Sequence, residues 1–89
     1  MASLTKIIDR HYTTGEVAKI CKMSQGTIIK YFDKGYIKGF LMPPANTERR
    51  IPYRNLLDFM TENNIPLNFL EDYLGIDELP ESLKPSKHL

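Results

Sequence analysis

Residues 12–37 carry two short amphipathic patterns joined by a turn of two residues. Apolar side chains recur there at three- and four-residue spacing, which predicts one helix over residues 14–21 and a second over residues 25–34. Because Ala18 is small, the two helices can cross closely at that point. The apolar residues that define the patterns are Val17, Ala18, Ile20 and Cys21 in the first helix and Ile28, Ile29 and Phe32 in the second.

Each predicted helix has residues suited to its ends. Thr13 and Glu16 form a capping box, in which the threonine hydroxyl accepts from the backbone N–H of Glu16 and the carboxylate accepts from the backbone N–H of Thr13. Ser24 is a favourable N-cap for the second helix, and Gly35 can adopt the left-handed conformation just beyond its end. Local chemistry therefore supports the boundaries that the spacing predicts.

The pattern after the second helix is typical of a β-hairpin. Residues 36–42 are aromatic and β-branched at their start, with Ile37 and Leu41 on one face of a predicted strand. Two successive prolines cannot continue a paired strand, so residues 43–48 are predicted to form a loop. Residues 49–53 return as the second strand, which gives a hairpin with a polar tip.

Two more helices are predicted in the second half of the chain. Residues 53–63 form a third helix, whose apolar residues recur at helical spacing. Residues 66–74 form a short fourth helix, since Pro66 suits a first helical position and Gly75 suits the position after the last one. Beyond Ile76, prolines and scattered charges predict an extended or frayed chain. The apolar residues of the third helix are Leu56, Leu57, Phe59 and Met60.

Charge is distributed unevenly along the chain, although the net charge is only +1. Residues 1–64 hold ten Lys and Arg and six Asp and Glu, a net charge of +4, whereas residues 65–89 hold two Lys and five Asp and Glu, a net charge of −3. Such an asymmetry is typical of a module that binds a polyanion. We therefore divide the chain into a loose lead-in (1–11), a basic domain (12–64) and an acidic tail that contains the fourth helix.

The composition argues against several classes of protein. A single cysteine cannot form an internal disulfide, and no Cys/His spacing suits zinc. No apolar run approaches the roughly 20 residues of a membrane span. No set of residues suggests a nucleophile, a base and a pocket, so we expect neither an enzyme nor a cofactor. The pattern is that of a cytoplasmic protein, with Cys21 as a small buried residue.

The order helix, turn, helix, hairpin, helix is that of a winged helix-turn-helix. Residues 12–62 resemble the MerR-type winged helix-turn-helix family in its short, excisionase-like form. The resemblance implies a mainly α fold with a small β-hairpin, to which the sequence adds a short C-terminal helix. The matching residues are the run from Thr14 to Ala18, Ser24, Thr27, the run from Lys30 to Gly35, Ile37, and the pair Arg49 and Arg50.

Three differences from the family pattern affect what the resemblance implies. Lys22 stands where many helix-turn-helix proteins have glycine, and a left-handed conformation there costs about 1–2 kcal/mol. Gly26 stands where relatives often carry a phosphate-contacting arginine. The long dimerising helix and the effector domain of full-length MerR proteins have no counterpart here, so we expect no small-molecule effector.

The resemblance implies a bacterial, nucleoid-associated regulator of transcription that binds double-stranded DNA, with the second helix in the major groove and the hairpin on the adjacent backbone. Gln25 and Thr27 can meet base edges, since glutamine pairs with adenine and the threonine methyl contacts the thymine methyl. Lys30 can reach guanine or a phosphate. The complete set of candidate DNA contacts is Thr13, Thr14, Ser24, Gln25, Thr27, Lys30, Tyr31, Lys34, Lys38, Arg49, Arg50 and Arg54.

Several of these residues also have a plainer interpretation. Lys30 and Lys34 can be the solvated face of a surface helix. The hairpin arginines can form surface ion pairs with Glu48 or Asp58, which contribute only about 0–1 kcal/mol. Tyr31 can belong to the core. These alternatives stay open at the level of sequence.

Other functions also fit the scaffold. One is an excisionase-like accessory protein that shapes DNA during recombination. Another is a protein-interaction module, suggested by the apolar tail, although the tail helix can equally cover the core or form a dimer seam. The acidic tail can also fold over the basic face and compete with DNA. The apolar tail residues are Leu67, Phe69, Leu70, Tyr73 and Leu74.

Self-association is expected if the chain binds DNA. A single module of this size reads too few base pairs to single out one site among roughly 10⁶ competitors. We therefore expect pairing, or cooperative side-by-side binding on half-sites repeated about every 10 base pairs.

Overall fold

The structure, a computed structural model, describes residues 9–84 apart from the side chain of Ser82. Within these residues the chain forms four α-helices and a three-stranded antiparallel sheet, so the fold is mainly α. In chain order the elements are β1 (His11–Thr13), α1 (Thr14–Cys21), α2 (Gln25–Asp33), β2 (Phe40–Met42), β3 (Glu48–Pro52), α3 (Tyr53–Glu62) and α4 (Asn68–Leu74), followed by a 3-10 turn at Glu81–Leu83. Among the described helices, none has the length and apolar character needed to cross a membrane.

The capping box predicted at the start of α1 is confirmed. Thr13 Oγ1 accepts from the N–H of Glu16 at 3.1 Å, and the N–H of Thr13 donates to Glu16 Oε1 at 2.9 Å. After the last turn of α1, Lys22 adopts the left-handed conformation, with φ 58° and ψ 45°, which a non-glycine residue seldom does. The N–H of Met23 donates to the carbonyl of Ala18 at 2.9 Å, so this tight turn satisfies a carbonyl at the end of the helix.

Helix α2 follows the prediction closely. Ser24 Oγ accepts from the N–H of Thr27 at 3.2 Å and caps the helix. The helix ends at Asp33, one residue before the predicted end, and Gly35 takes the left-handed conformation with φ 84°. Ile28 is fully buried where α2 packs against α1.

The sheet has the strand order β1–β3–β2, with β3 in the middle. Phe40 lies opposite Arg50 across β2 and β3, and Thr13 lies opposite Arg50 across β1 and β3. The sequence-based prediction missed β1 and assigned residues 1–11 to a loose lead-in; residues 1–8 lie outside the described part of the chain. Three residues are too few for an alternating pattern to reveal a strand.

The first strand of the hairpin begins at Phe40 rather than at residue 36. Residues 36–39 connect α2 to the sheet without belonging to a strand. Ile37 is 1% exposed and Leu41 is 42% exposed, so the prediction that they share one face of a strand is wrong. A β-carbon on Gly39 would lie 2.2 Å from a backbone carbonyl oxygen of β3, so no side chain fits at this close approach.

The core is one cluster to which all the helices and the sheet contribute. The four apolar residues predicted for α3 are all buried, which confirms that helix and its orientation. The buried apolar residues are Tyr12, Val17, Ala18, Ile20, Cys21, Ile28, Ile37, Ile51, Tyr53, Leu56, Leu57, Phe59, Met60, Leu70, Leu79 and Leu83.

The C-terminal segment up to residue 84 contributes to this core, which corrects the prediction of an extended or frayed chain beyond Ile76 for that stretch; residues 85–89 lie outside the described part of the chain. Leu79 and Leu83 are only 1% and 2% exposed. The hydroxyl of Tyr53 donates to the carbonyl of Leu83 at 3.0 Å and fixes the segment against α3. Helix α4 begins at Asn68, two residues after the predicted start, and packs on α1. Isolated leucines between prolines show no helical or strand period, so the sequence alone did not reveal their burial.

Candidate nucleic-acid interface

One side of α2 is buried and the opposite side faces solvent. Ile28 points into the core, and a rotation of about 100° per residue places Thr27, Lys30 and Lys34 on the side turned away from it. Both lysines are exposed, and within residues 9–84 neither forms a salt bridge. We call these three residues the outer face of α2. Two uncompensated positive charges one turn apart are available there for a negatively charged partner.

The first residue of α2, Gln25, is held by α1. Its Nε2 donates to Thr14 Oγ1 at 3.1 Å, and its amide lies 3.7–3.8 Å from the position that a β-carbon on Gly15 would occupy. Thr14 is 7% exposed, whereas Gln25 is exposed. Thr14 was predicted as a DNA contact; in the structure its hydroxyl accepts a hydrogen bond from Gln25.

The hydroxyl groups of Ser24 and Thr27 are linked. They lie 2.8 Å apart, and Ser24 Oγ also accepts from the backbone N–H of Thr27. Thr13 has a similar local role as the N-cap of α1. Thr13 and Ser24 are therefore N-caps, and Thr27 lies in the first turn of α2, so these three predicted DNA contacts also stabilise the starts of the two helices.

Arg49 of β3 is bound to α2. Its Nε and Nη2 donate to the two carboxylate oxygens of Asp33 at 2.9 and 3.0 Å, and its guanidinium lies 6.0 Å from the ring centre of Phe32. The hydrogen bonds that Arg49 donates to Asp33 raise the pKa of Arg49 further above its ordinary value. The surface partners predicted for the hairpin arginines were Glu48 and Asp58. The sequence did not reveal Asp33, which lies 16 residues away.

Arg50 lies on the opposite face of β3 from Arg49, because successive side chains along a strand point to opposite sides. Its Nη2 forms the predicted salt bridge with Glu48, with a distance of 2.7 Å to Oε2. Its Nε is buried and has no hydrogen-bond partner within the described residues. The two arginines are neighbours in sequence, but their side chains lie on opposite faces of β3, so they cannot both contact one phosphate.

Tyr31 packs as part of the protein interior rather than standing free. It is half-buried, with its ring centre 5.9 Å from that of Tyr36 and 6.0 Å from that of Phe59. The plainer interpretation of Tyr31 as a partial core residue therefore fits the structure. One edge of the ring can still reach solvent.

Lys38 and Arg54 are both exposed, and Lys38 lines a cleft of about 440 Å³. The carbonyl of Lys38 accepts from Asn55 Nδ2 at 3.1 Å, which joins the entry to the hairpin to α3. Lys38 shares the cleft with two carboxylates, so its charge is partly offset there. The residues lining the cleft are Gly35, Tyr36, Lys38, Asn55, Asp58, Phe59, Glu62 and Asn63.

The acidic tail is attached to α1 and α3 rather than to the outer face of α2. The hydroxyl of Tyr73 donates to Glu16 Oε2 at 2.8 Å, and Lys22 Nζ lies 4.9 Å from the ring centre of Phe69. In the described part of the tail, residues 65–84, no carboxylate pairs with a lysine of α2. Leu70 of the tail helix is buried, and the other apolar residues of this helix are partly buried against the core, as expected of a helix that covers it.

Glu16 links the start of α1 to the residue before β1 and to α4. Besides Tyr73, it accepts from Arg10 Nη2 at 2.9 Å and from the N–H of Thr13. Partial burial by itself would raise the pKa of the Glu16 carboxyl, but the hydrogen bonds from Thr13, Tyr73 and Arg10 outweigh it and lower the pKa below its ordinary value. Glu16 is therefore charged at neutral pH and holds these groups together.

The described residues offer little for catalysis by a thiol or for metal binding. Cys21 is buried, and this burial raises the pKa of its thiol to about 11, so the thiol is neutral at physiological pH. Between residues 9 and 84 there is no group of three or more His, Cys, Asp and Glu side chains that could share a metal ion.

The arrangement thus has three parts: a basic outer face on α2, an anchored glutamine at the start of that helix, and a hairpin tied to its end by Arg49 and Asp33. All three depend on contacts between elements that are adjacent in the fold. The chain matches no protein-family model, no curated protein and no solved structure, so the functional interpretation depends on this geometry and on the sequence.

Proposed function

We propose that this protein is a winged helix-turn-helix transcription regulator that binds double-stranded DNA. Helix α2 would enter the major groove, and the hairpin formed by β2 and β3 would lie on the adjacent backbone. The observation that carries the proposal is the outer face of α2, where Lys30 and Lys34 are exposed and unpaired among the described residues. An α-helix fits the width of the major groove, and lysines that neutralise phosphates release counterions and so favour binding.

The contacts divide by position. Gln25 and Thr27, in the first turn of α2, would meet base edges, while Lys30 would reach a base or a phosphate one turn later. Lys34 would contact the backbone. Residues at the flanks of this surface would make further backbone contacts: Thr13, Ser24, Tyr31, Lys38, Arg50 and Arg54. The guanidinium of Arg49 is bound to Asp33, so Arg49 would hold the hairpin in place rather than offer a free positive charge to the DNA.

Self-association is part of the proposal. One α2 helix reads too few bases to select a single site, so two or more copies would occupy half-sites about 10 base pairs apart. Analytical ultracentrifugation with duplexes that carry one or two half-sites tests this. Tighter binding per site on the two-site duplex is expected, and equal affinity on both would contradict cooperative binding.

The direct test of DNA binding is the substitution Lys30→Ala. A preferred duplex is first selected from a random library, and its affinity for the wild-type and variant proteins is measured by fluorescence anisotropy. Loss of a base contact should weaken binding by about 1–3 kcal/mol, roughly 5- to 150-fold, and relax the sequence preference. Lys19→Ala is the matched control, since it removes an exposed lysine from α1 and should change the affinity about twofold or less.

The same measurements distinguish other functions. An excisionase-like accessory protein would bend or coat its site, which circular-permutation gel shifts detect as altered mobility. A protein-interaction module on this scaffold is favoured by three exposed apolar side chains, Tyr36, Phe40 and Leu41. Failure of the wild-type protein to prefer any duplex in the library would overturn the DNA-binding proposal in favour of that module.

A further inference from the structure

We infer that Thr14 positions the amide of Gln25 so that Gln25 selects adenine over guanine in the major groove. The inference rests on the function proposed above and adds the base that the site prefers and the residue that sets this preference. It starts from one contact between helices: Gln25 Nε2 donates to Thr14 Oγ1 at 3.1 Å, across the turn that joins α1 to α2.

The hydrogen-bonding groups that remain free on Gln25 match adenine. A glutamine amide has two N–H donors and one carbonyl acceptor. With one N–H bound to Thr14, the other N–H and Oε1 are left to form a pair of hydrogen bonds. Adenine presents an acceptor at N7 and a donor at N6 in the major groove, whereas guanine presents acceptors at both N7 and O6. Oε1 would therefore find a donor on adenine and a second acceptor on guanine.

The anchor for this amide is rigid. Thr14 is the first residue of α1, is 7% exposed, and lies within the capping box formed by Thr13 and Glu16. Its hydroxyl therefore cannot follow Gln25 outward. Beside it, Gly15 has no side chain, and the position that a β-carbon would occupy there lies at ordinary contact distance from the Gln25 amide.

Fixing the side chain in the free protein has a consequence for binding. A flexible glutamine would have to give up rotamer freedom when it meets a base, and this loss opposes binding. Here the hydrogen bond to Thr14 limits that freedom beforehand. The hydroxyl of Thr14 should therefore affect base preference at one position of the site, whereas the sequence-independent part of binding comes from the lysines of α2.

The experiment compares four variants with the wild-type protein on the preferred duplex. Each adenine of that duplex is replaced in turn by 7-deazaadenine, which lacks the N7 acceptor. The position where the wild-type protein loses affinity and Gln25→Ala does not is the base that Gln25 reads. Thr14→Val keeps the volume of the side chain and removes the hydroxyl, Thr14→Ser keeps the hydroxyl, and Thr14→Ala serves as a second hydroxyl-free variant if the valine does not fold.

At the identified position we expect a wild-type preference for adenine over guanine of about tenfold, reduced to about threefold or less in Thr14→Val or Thr14→Ala. Thr14→Ser should retain the preference within about twofold, because its hydroxyl can still accept the hydrogen bond. The affinity of the three Thr14 variants for a duplex with guanine at this position, and its salt dependence, should match the wild type. A purely structural role of Thr14 would instead lower affinity for every duplex alike.

Two results would overturn the inference while leaving DNA binding intact. One is an undiminished adenine preference in both hydroxyl-free variants. The other is a wild-type protein that prefers one duplex but loses no affinity at any 7-deazaadenine. Absence of any preferred duplex is a different result, since it would overturn the proposed function itself and the inference with it.

Discussion

Helices α2 and α4 resemble each other in composition but differ in what the fold does with them. Each contains several large apolar residues and buries one of them completely, Ile28 in α2 and Leu70 in α4. Two polar side chains of α4 are bound within the protein: Tyr73 donates to Glu16, and Glu71 accepts from the N–H of Leu79. The outer face of α2 keeps Lys30 and Lys34 free of such partners among the described residues.

This difference predicts that the tail contributes to stability, whereas the outer face of α2 contributes to binding. The tail adds Leu79 and Leu83 to the core. Within the tail, Lys84 forms a salt bridge with Glu78. The two lysines on the outer face of α2 form no salt bridge within the described residues. Substitutions in the tail should therefore change the free energy of unfolding, and substitutions on the outer face of α2 should change affinity for a partner.

The largest effect is expected from deleting residues 65–89. The deletion removes three fully buried leucines, Leu70, Leu79 and Leu83. Each buried leucine contributes about 1.5–3 kcal/mol, so the loss is comparable with the total stability of about 5–15 kcal/mol that small proteins have. We expect a chain without a cooperative thermal transition by circular dichroism. A transition preserved within a few degrees of that of the full chain would show that the tail is dispensable.

A matched pair of leucine substitutions sharpens the comparison. Leu79→Ala should lower the free energy of unfolding by about 2–5 kcal/mol, because Leu79 is 1% exposed and its removal leaves a cavity. Leu41→Ala makes the same chemical change at a site that is 42% exposed and should cost about 0.5 kcal/mol or less. Urea titration measures both. Similar losses for the two variants would contradict the burial of the C-terminal segment.

A smaller effect, with a pH dependence, is expected for Glu16→Gln. The change weakens hydrogen bonds that Glu16 accepts from Thr13, Tyr73 and Arg10, and should cost about 1 kcal/mol at pH 7. Because the folded state lowers the pKa of Glu16, its stabilisation is present above the unfolded pKa of about 4.3 and is lost as the pH falls through the folded value.

The difference between the wild-type protein and Glu16→Gln in free energy of unfolding should therefore shrink as the pH falls below the unfolded pKa of about 4.3. Glu62→Gln is the control, since Glu62 is exposed on α3 and should show no such trend. A difference that stays constant over this range would argue against the charged form of Glu16 as the stabilising species.

The smallest effect on folding is expected for Asp33→Asn, at the end of α2. The pair between Asp33 and Arg49 is exposed, so the melting temperature should change little. Removal of the carboxylate frees the charge of Arg49 beside the proposed path of the DNA. Affinity for any duplex should then rise roughly two- to fivefold, with a steeper dependence on salt. A weaker, salt-independent affinity would instead indicate that the pair only orients the hairpin.

Much of the helical structure could be predicted from the sequence because its signals are local. The capping box at Thr13 and Glu16, the N-cap at Ser24 and the left-handed Gly35 set the boundaries of α1 and α2 within one residue. Periodicity also identified Ile28 as buried and Lys30 as exposed. These features need only neighbours within one helical turn.

The sheet and the tail were harder to predict. Strand β1 and the late start of β2 depend on pairing with β3, and strands of three residues carry almost no pattern of their own. Leu79 and Leu83 become core residues because they join a cluster to which the helices and the sheet contribute. Such sites do not exist until the elements have packed.

The sequence by itself determined where α1 and α2 begin and end and which side of α2 carries its lysines, because capping and helical spacing are short-range effects. The tertiary structure decided that Gln25 rests on Thr14, that Arg49 binds Asp33 and that the acidic tail completes the core. Each of these contacts joins elements that only chain folding brings within hydrogen-bonding or van der Waals distance.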